Sequence, residues 1–298
     1  MLLLVDLDGV VYRGAEPVPG VPAVLAARAA AGDDIVYVTN NSMWYRADYV
    51  TRLESMGAPV SPDLIVSSAR ATALYLRDLE PPVRRALVVG GPGLVHEIRD
   101  AGIEVVLSQD AAERWHANGR DAAAAVGPVD AVVVGLDLEF TYGRLACAAE
   151  AVREGARFVA TNRDPVYPLE KGLMPGAGSI VAAVVVASGR EPTSIGKPGP
   201  LLLQVAAHAV GRDVAQAVMI GDSLVTDVPA AHAVGARSVL MLTGITTRYQ
   251  VAALAAADQP TEIAADAAEL AVVLDRLAAA STPGSAPGSK PAPAAPHA

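Results

Sequence analysis

Short apolar runs, each too brief for a helix and each followed by a helix-length segment, recur along this chain and constrain its fold more than any other feature. The first, Leu2 to Val5, is apolar at every position, the mark of a strand buried on both faces. Asp6 ends it. Gly9, Gly14, Pro17, Pro19 and Gly20 then break regular structure, and Val21 to Ala31 reads as an Ala-rich helix closed by Gly32. A second strand is expected at Ile35 to Val38, a helix around Tyr45 to Met56, a short strand near Leu64 to Val66 and a helix over Ala69 to Asp78. Such alternation builds a parallel sheet covered by helices on both faces.

Pro81 and Pro82 interrupt the series, and a fresh set of units follows: strand Ala86 to Val89, helix Leu94 to Ala101 and strand Glu104 to Leu107. Strands Ala131 to Val134 and Arg157 to Ala160, with helix Tyr142 to Glu154 between them, continue it. A loop from Asn162 to Pro175 and a helix to about Ser188 close this insert. Strands Ala217 to Ile220 and Ser238 to Leu242 then read as the first domain resuming. The expected division is residues 1–81 plus 192–280 for one domain and 82–191 for the other. Residues 281–298 are Pro, Ala, Ser and Gly with little to bury, and read as a disordered tail.

Composition narrows the function classes. In 298 residues, 52% hydrophobic side chains supply ample core, and 32 acidic against 23 basic residues leave a net charge of -9 that repels nucleic acid and anionic lipid. The longest apolar run, Ile180 to Ala187, falls well short of the ~20 residues that span a bilayer. The lone cysteine, Cys147, has no disulfide or CxxC partner, and MLLLVDLDG lacks a signal-peptide pattern; a cytoplasmic protein is expected.

Four motifs carry chemistry. Asp6-Leu7-Asp8-Gly9 places two carboxylates where a buried strand ends, the edge at which open α/β sheets bind ligands. Two acids on a rigid strand end suit a hard cation and nucleophilic attack by a carboxylate; the plain alternative is a solvated Asp-Gly turn. Thr39-Asn40-Asn41-Ser42 groups a hydroxyl, amides and backbone N–H donors at a strand end, able to hold phosphate oxygens without adding charge, although helix caps use the same residues. Gly221-Asp222-Ser223, with Asp227 further on, repeats the strand-end carboxylate on another strand and would complete a divalent-metal site. Gly196-Lys197-Pro198 offers one fixed positive charge ahead of an apolar helix, in a chain whose lysines are Lys171, Lys197 and Lys290.

Taken in this order, the four motifs resemble the haloacid dehalogenase-like hydrolase superfamily. The resemblance implies that Asp6 is the nucleophile, Asp8 the acid/base, Thr39 with Asn40 and Asn41 the phosphate binders, and Lys197 the charge that orders them. Mg2+ would be held by Asp6, Asp222 and the Asp8 backbone carbonyl, with Asp227 behind them. The Asp8-to-Thr39 interval has room for a hairpin and one helix only, whereas the Thr39-to-Lys197 interval has room for a domain. This placement is similar to the NagD-like and 4-nitrophenylphosphatase-like subgroup, as are Ala160 to Pro165 and Pro175 to Ser179. It implies a doubly wound α/β core of strand order 3-2-1-4-5 with an inserted α/β cap. The implied activity is hydrolysis of a small phosphomonoester metabolite through an aspartyl-phosphate. Substrate selection is assigned to Asn162, Asp164 and Tyr167 in the cap loop, and a homodimer through the cap is a further expectation. The rivals are a phosphotransferase of the same fold and a binding or regulatory relative without turnover.

Other signals fail. Gly91 and Gly93 would need Gly or Ala at position 96 for a dinucleotide loop, which holds His96. His96, His116, His208, His232 and His297 show no zinc spacing, and no G-x-S-x-G elbow offers a serine nucleophile.

Overall fold

The computed structural model describes residues 1–168 and 172–281. Two parallel sheets organise them. The first has six strands in the order Glu262–Ala264, Arg237–Met241, Ala217–Gly221, Leu2–Val5, Asp34–Thr39, Ile65–Ser67. Numbered along the chain within this sheet the order is 3-2-1-4-5, as the sequence implied, with Glu262–Ala264 added as a sixth strand at the edge. Leu2–Val5 is flanked by Ala217–Gly221 and Asp34–Thr39, in register Leu2 with Ala217 and Leu2 with Asp34, so chain order reverses beside it.

The alternation of strand side chains sorts the core into two layers. Leu3, Val5, Ile35, Tyr37, Val218 and Ile220 face one layer, closed by helices Val21–Ala30, Arg46–Ser55 and Ala267–Ser281. Leu2, Leu4, Val36, Val38, Ala217 and Met219 face the other, closed by Ser68–Arg77, Leu201–Ala209 and Asp227–Ala233. Both faces are covered, which is why these strands read as unbroken apolar runs rather than alternating ones.

The second sheet has the order Thr193–Ser194, Arg157–Ala160, Ala131–Val134, Arg85–Val89, Glu104–Leu107. Its last strand, Thr193–Ser194, lies beyond the boundary expected at residue 191. Leu87, Val89, Val132 and Val134 pack under helices Ser108–Ala117, Tyr142–Arg153 and Ala177–Ser188. The opposite side chains, Ala86, Val88, Ala131 and Val133, join the cluster that contains Leu4 and Val36. One apolar layer therefore runs continuously from one sheet to the other.

Two expectations need correction. The segment expected as a loop over 162–175 contains an antiparallel pair, Val166–Pro168 with Leu173–Pro175. Pro165, Pro168 and Pro175 disguised it, because proline is permitted at strand ends while reading as punctuation in sequence. Helices Ser108–Ala117 and Ala122–Val126 lie outside the expected elements; apart from Trp115 and Val126 they bury only the small residues Ser108, Ala111, Ala112 and Ala125, which carry little apolar signal in sequence. Of the tail expected over 281–298, Ser281 ends helix Ala267–Ser281 and residues 282–298 lie outside the described residues. No described helix is long and apolar enough to cross a membrane.

Candidate active site

Every strand of the first sheet runs the same way, so its carboxyl ends share one edge. Asp6 leaves the end of Leu2–Val5 with its N–H still donated to Ile220, at 2.8 Å, which extends the ladder and fixes the carboxylate. Asp222 follows the neighbouring strand and Thr39 ends the one on the other side. All three are buried. Sheet register alone thus brings together residues far apart in sequence.

Lys197 reaches the same point from the other sheet. Beyond Thr193–Ser194 the pairing continues through Ile195 N–H to Ala160 and Gly196 N–H to Thr161, at 3.0 and 2.8 Å. The lysine is therefore delivered by the second sheet, not by the first domain as the expected boundary implied. Its Nζ lies 2.7 Å from Asp6 Oδ1 and 2.7 Å from Asp227 Oδ1, with the Val38 carbonyl at 3.4 Å. Asn40 clasps its backbone: Asn40 Oδ1 accepts from the Lys197 N–H at 2.8 Å and Nδ2 donates to the Lys197 carbonyl at 2.9 Å. Burial pulls the Lys197 ammonium down, but the negative charges of Asp227 and Asp6 outweigh it and hold the group above its ordinary value.

The three acids are not fully offset by one lysine. Oxygen atoms of Asp6, Asp222 and Asp227 lie within 4.8 Å of one another. Asp227 is committed on both sides, Oδ1 to Lys197 and Oδ2 to the N–H groups of Asp222 and Ser223 at 3.0 Å each. Burial raises the carboxyl of Asp6, helped by Asp227 and Asp222 and opposed by Lys197. Burial, then the charge of Asp227, pushes Asp222 up to about 6, against the Ile245 N–H that donates to its Oδ2 at 2.9 Å. Crowded, buried oxygen donors with surplus negative charge fit a hard divalent cation.

Asp8 differs from these acids. It is exposed to the crevice, while the protein packed around it raises its carboxyl, opposed by the charges of Arg52 and Lys197. Gly9, at φ +82°, turns the chain after it and donates its N–H to the Tyr12 carbonyl at 2.8 Å. A Cβ at Gly9 would come within 2.3 Å of Asp222 Oδ2, so only glycine fits the turn.

The loop after strand Arg237–Met241 went unnoticed in the sequence. Thr243 Oγ1 donates to the Gly9 carbonyl at 2.7 Å and Thr246 Oγ1 to the Asp222 carbonyl at 2.6 Å. The signal available was a fourth strand end followed by Thr243-Gly244-Ile245-Thr246-Thr247, hydroxyls around a glycine.

The amide residues take duties other than those expected. The Asn40 side chain is spent on Lys197 and on Asp164, whose two oxygens lie 3.1 Å from Nδ2. Asn162 is buried and gives its Nδ2 to the Asn40 carbonyl at 2.7 Å, while its Oδ1 accepts from the Asp164 N–H. Asn162 and Asp164, expected at the substrate, tie the second sheet to Asn40. Thr39 Oγ1 accepts from the Asn41 N–H at 3.2 Å. Tyr167 is brought to the crevice, its hydroxyl accepting from Asn41 Nδ2 at 3.4 Å.

The family description "Haloacid dehalogenase-like hydrolase" matches residues 3–104, and a second, HAD-hydrolase-like, matches residues 194–270. The chain is 39% identical over 254 residues to the glycerol-3-phosphate phosphatase of Gallus gallus, covering 84% of this chain and 81% of that one. It is 34% identical over 248 residues to an acid sugar phosphatase of Staphylococcus aureus, covering 83% and 88%. Among solved structures, the p-nitrophenyl phosphatase from Archaeoglobus fulgidus superposes with a TM-score of 0.79 at 30% identity, over 91% of this chain and 98% of that one. A glycerol phosphate phosphatase from Mycobacterium tuberculosis, in complex with magnesium, superposes at 0.76 and 34% identity, over 90% and 75%.

Proposed function

Since the chain belongs to the haloacid dehalogenase-like hydrolases and is a phosphoric monoester hydrolase acting on small phosphomonoesters, we propose that it works through an aspartyl-phosphate on Asp6 with Mg2+ bound beside it. The observation that carries this reading is the Lys197 bridge, 2.7 Å to Asp6 and 2.7 Å to Asp227, beside an Asp222 that forms no ion pair among the described residues. Asp6, Asp222 and the Asp8 carbonyl would hold the cation. When bound, it supplies the positive charge that offsets repulsion between these carboxylates and the substrate's phosphate.

The chain's own groups do the rest. Lys197 favours the charged form of Asp6 and aims it, so that its free oxygen forms the bond to phosphorus as the bond to the leaving oxygen breaks. Asp8 is exposed to the crevice and holds its proton more tightly than an ordinary aspartate. It gives that proton to the leaving alcohol, then takes one from the water that cleaves the aspartyl-phosphate. Thr39 and the backbone N–H groups after it meet the charge on the phosphoryl oxygens. The second sheet faces the first across the crevice and acts as a cap, limiting the volume left for the alcohol and favouring small esters over phosphoproteins.

A phosphate-release screen over small phosphorylated metabolites with Mg2+ tests this, with Asp6→Asn as control. Release by the wild-type protein and none by the variant is expected. Equal release by both would exclude Asp6 as nucleophile.

A further inference from the structure

Arg52 lies against the Tyr12 ring beside the Asp8–Gly9 turn, and nothing in the phosphoryl-transfer scheme uses it. It is half-buried on helix Arg46–Ser55, with its guanidinium carbon 3.6 Å from the centroid of the Tyr12 ring and 5.6 Å from that of Trp44. Tyr12 is itself 1% exposed and is tied to the catalytic turn: Gly9 donates to its carbonyl, and Asp8 and Tyr12 form a β-bridge. The stack on Tyr12, whose backbone bridges to Asp8, therefore seats the cation in the neighbourhood of Asp8.

Among the described residues no carboxylate forms an ion pair with Arg52, in a chain where acids outnumber bases 32 to 23. The nearest acid on its own helix face, Asp48, is occupied in capping the helix, its Oδ2 accepting from the Tyr45 N–H at 3.0 Å. A guanidinium stacked on a ring spends its face on the π system and keeps its N–H edge for a planar acceptor in its own plane. That edge matches a carboxylate bidentately. Because Asp8 protonates the departing oxygen, a cation beside Asp8 meets the alcohol portion of the ester and not the phosphate.

We propose that Arg52 is a specificity-determining residue that receives a carboxylate on the leaving group, which makes small phosphoesters of hydroxy acids the substrate class this site selects. A single guanidinium balances one charge, so a carboxylate suits it better than a second, dianionic phosphate. The inference rests on the phosphatase reading above.

The test compares two size-matched probes with Mg2+: phosphoglycolate, and 2-hydroxyethyl phosphate, in which a hydroxymethyl group replaces the carboxylate. The wild-type protein is expected to favour phosphoglycolate in kcat/KM. Arg52→Gln should lower that preference at least tenfold, mainly through KM, and Arg52→Lys, which keeps the charge, should retain part of it. A preference unchanged in a folded Arg52→Gln protein, or lost equally in the glutamine and lysine variants, overturns the role of Arg52. Absence of phosphate release from any ester by wild-type protein instead overturns the phosphatase reading, so the two failures are distinguishable.

Discussion

The crevice has two walls, and they are built to different standards. On the strand-end wall Asp6, Asp222, Asp227 and Lys197 are buried, each held by two or more bonds at 2.7–3.4 Å to groups on separate elements. The opposite wall is a short hairpin whose Tyr167 is half-buried and, among the described residues, makes one hydrogen bond, of 3.4 Å, to Asn41. The first wall must place charges to a fraction of an ångström, because phosphoryl transfer depends on preorganised electrostatics. The second, on the reading proposed above, would shape the space left for an alcohol, and a hairpin with fewer bonds to the charged wall can change without disturbing the charges.

The largest expected effect follows from the first wall. Asp6→Asn keeps the shape and the Lys197 contact but removes the nucleophilic charge, so turnover should vanish in a protein that melts normally. EDTA should likewise abolish activity and Mg2+ restore it; full activity in excess chelator would exclude a metal at Asp6 and Asp222. Lys197→Ala should lower kcat by about 10²-fold or more, since one preorganised charge in a site poor in water is worth ~3 kcal/mol. It also leaves two buried carboxylates without their counter-charge, so melting temperature should fall and added Mg2+ should recover part of it. A Lys197→Ala enzyme losing less activity than a hairpin variant would invert the ranking of the two walls.

Asn40 joins the walls, and its replacement sharpens the contrast. It holds the Lys197 backbone by two bonds and binds Asp164 and Asn162 from the second sheet. Asn40→Ala should therefore cost about tenfold in kcat on every substrate alike, the sign of a misplaced lysine, at ~1.4 kcal/mol. A loss confined to some substrates would show that Asn40 touches the alcohol instead.

The strand-end wall was legible because its signal is local: a wholly apolar run stops, and a carboxylate or hydroxyl follows. Asp6, Thr39 and Asp222 each obey that rule. Lys197 follows a two-residue strand too short to announce itself, and its membership of the second sheet is visible only through the pairing of Thr193 with Val159. Arg52 was invisible for another reason. It lies in the middle of a helix, surrounded by no motif, and acquires meaning only when folding sets it against Tyr12. The bonds of Asn162 and Asp164 to Asn40 and its carbonyl were not legible, because a polar residue in a loop looks the same in sequence whether it faces a ligand or a backbone carbonyl.

That last ambiguity yields the smallest and most discriminating effect. Asp164 and Tyr167 are three residues apart, yet they bond different partners: Asp164 accepts from Asn40, which clasps Lys197, whereas the Tyr167 hydroxyl accepts from Asn41 in a longer bond of 3.4 Å. Asp164→Ala should then behave like a mild Asn40 variant, lowering kcat on all esters in proportion. Tyr167→Ala should shift the ranking among phosphorylated metabolites by about tenfold, ~1.4 kcal/mol, with a smaller change in the average rate. Tyr167→Phe isolates the hydroxyl; because its bond to Asn41 is long, at 3.4 Å, the phenyl variant should keep most of the wild-type ranking. Measuring kcat/KM for the three variants over one panel of esters separates the cases. Proportional losses for both Asp164→Ala and Tyr167→Ala would make the hairpin a support for the charged wall, and selectivity would then fall to Arg52 and the residues stacked around it.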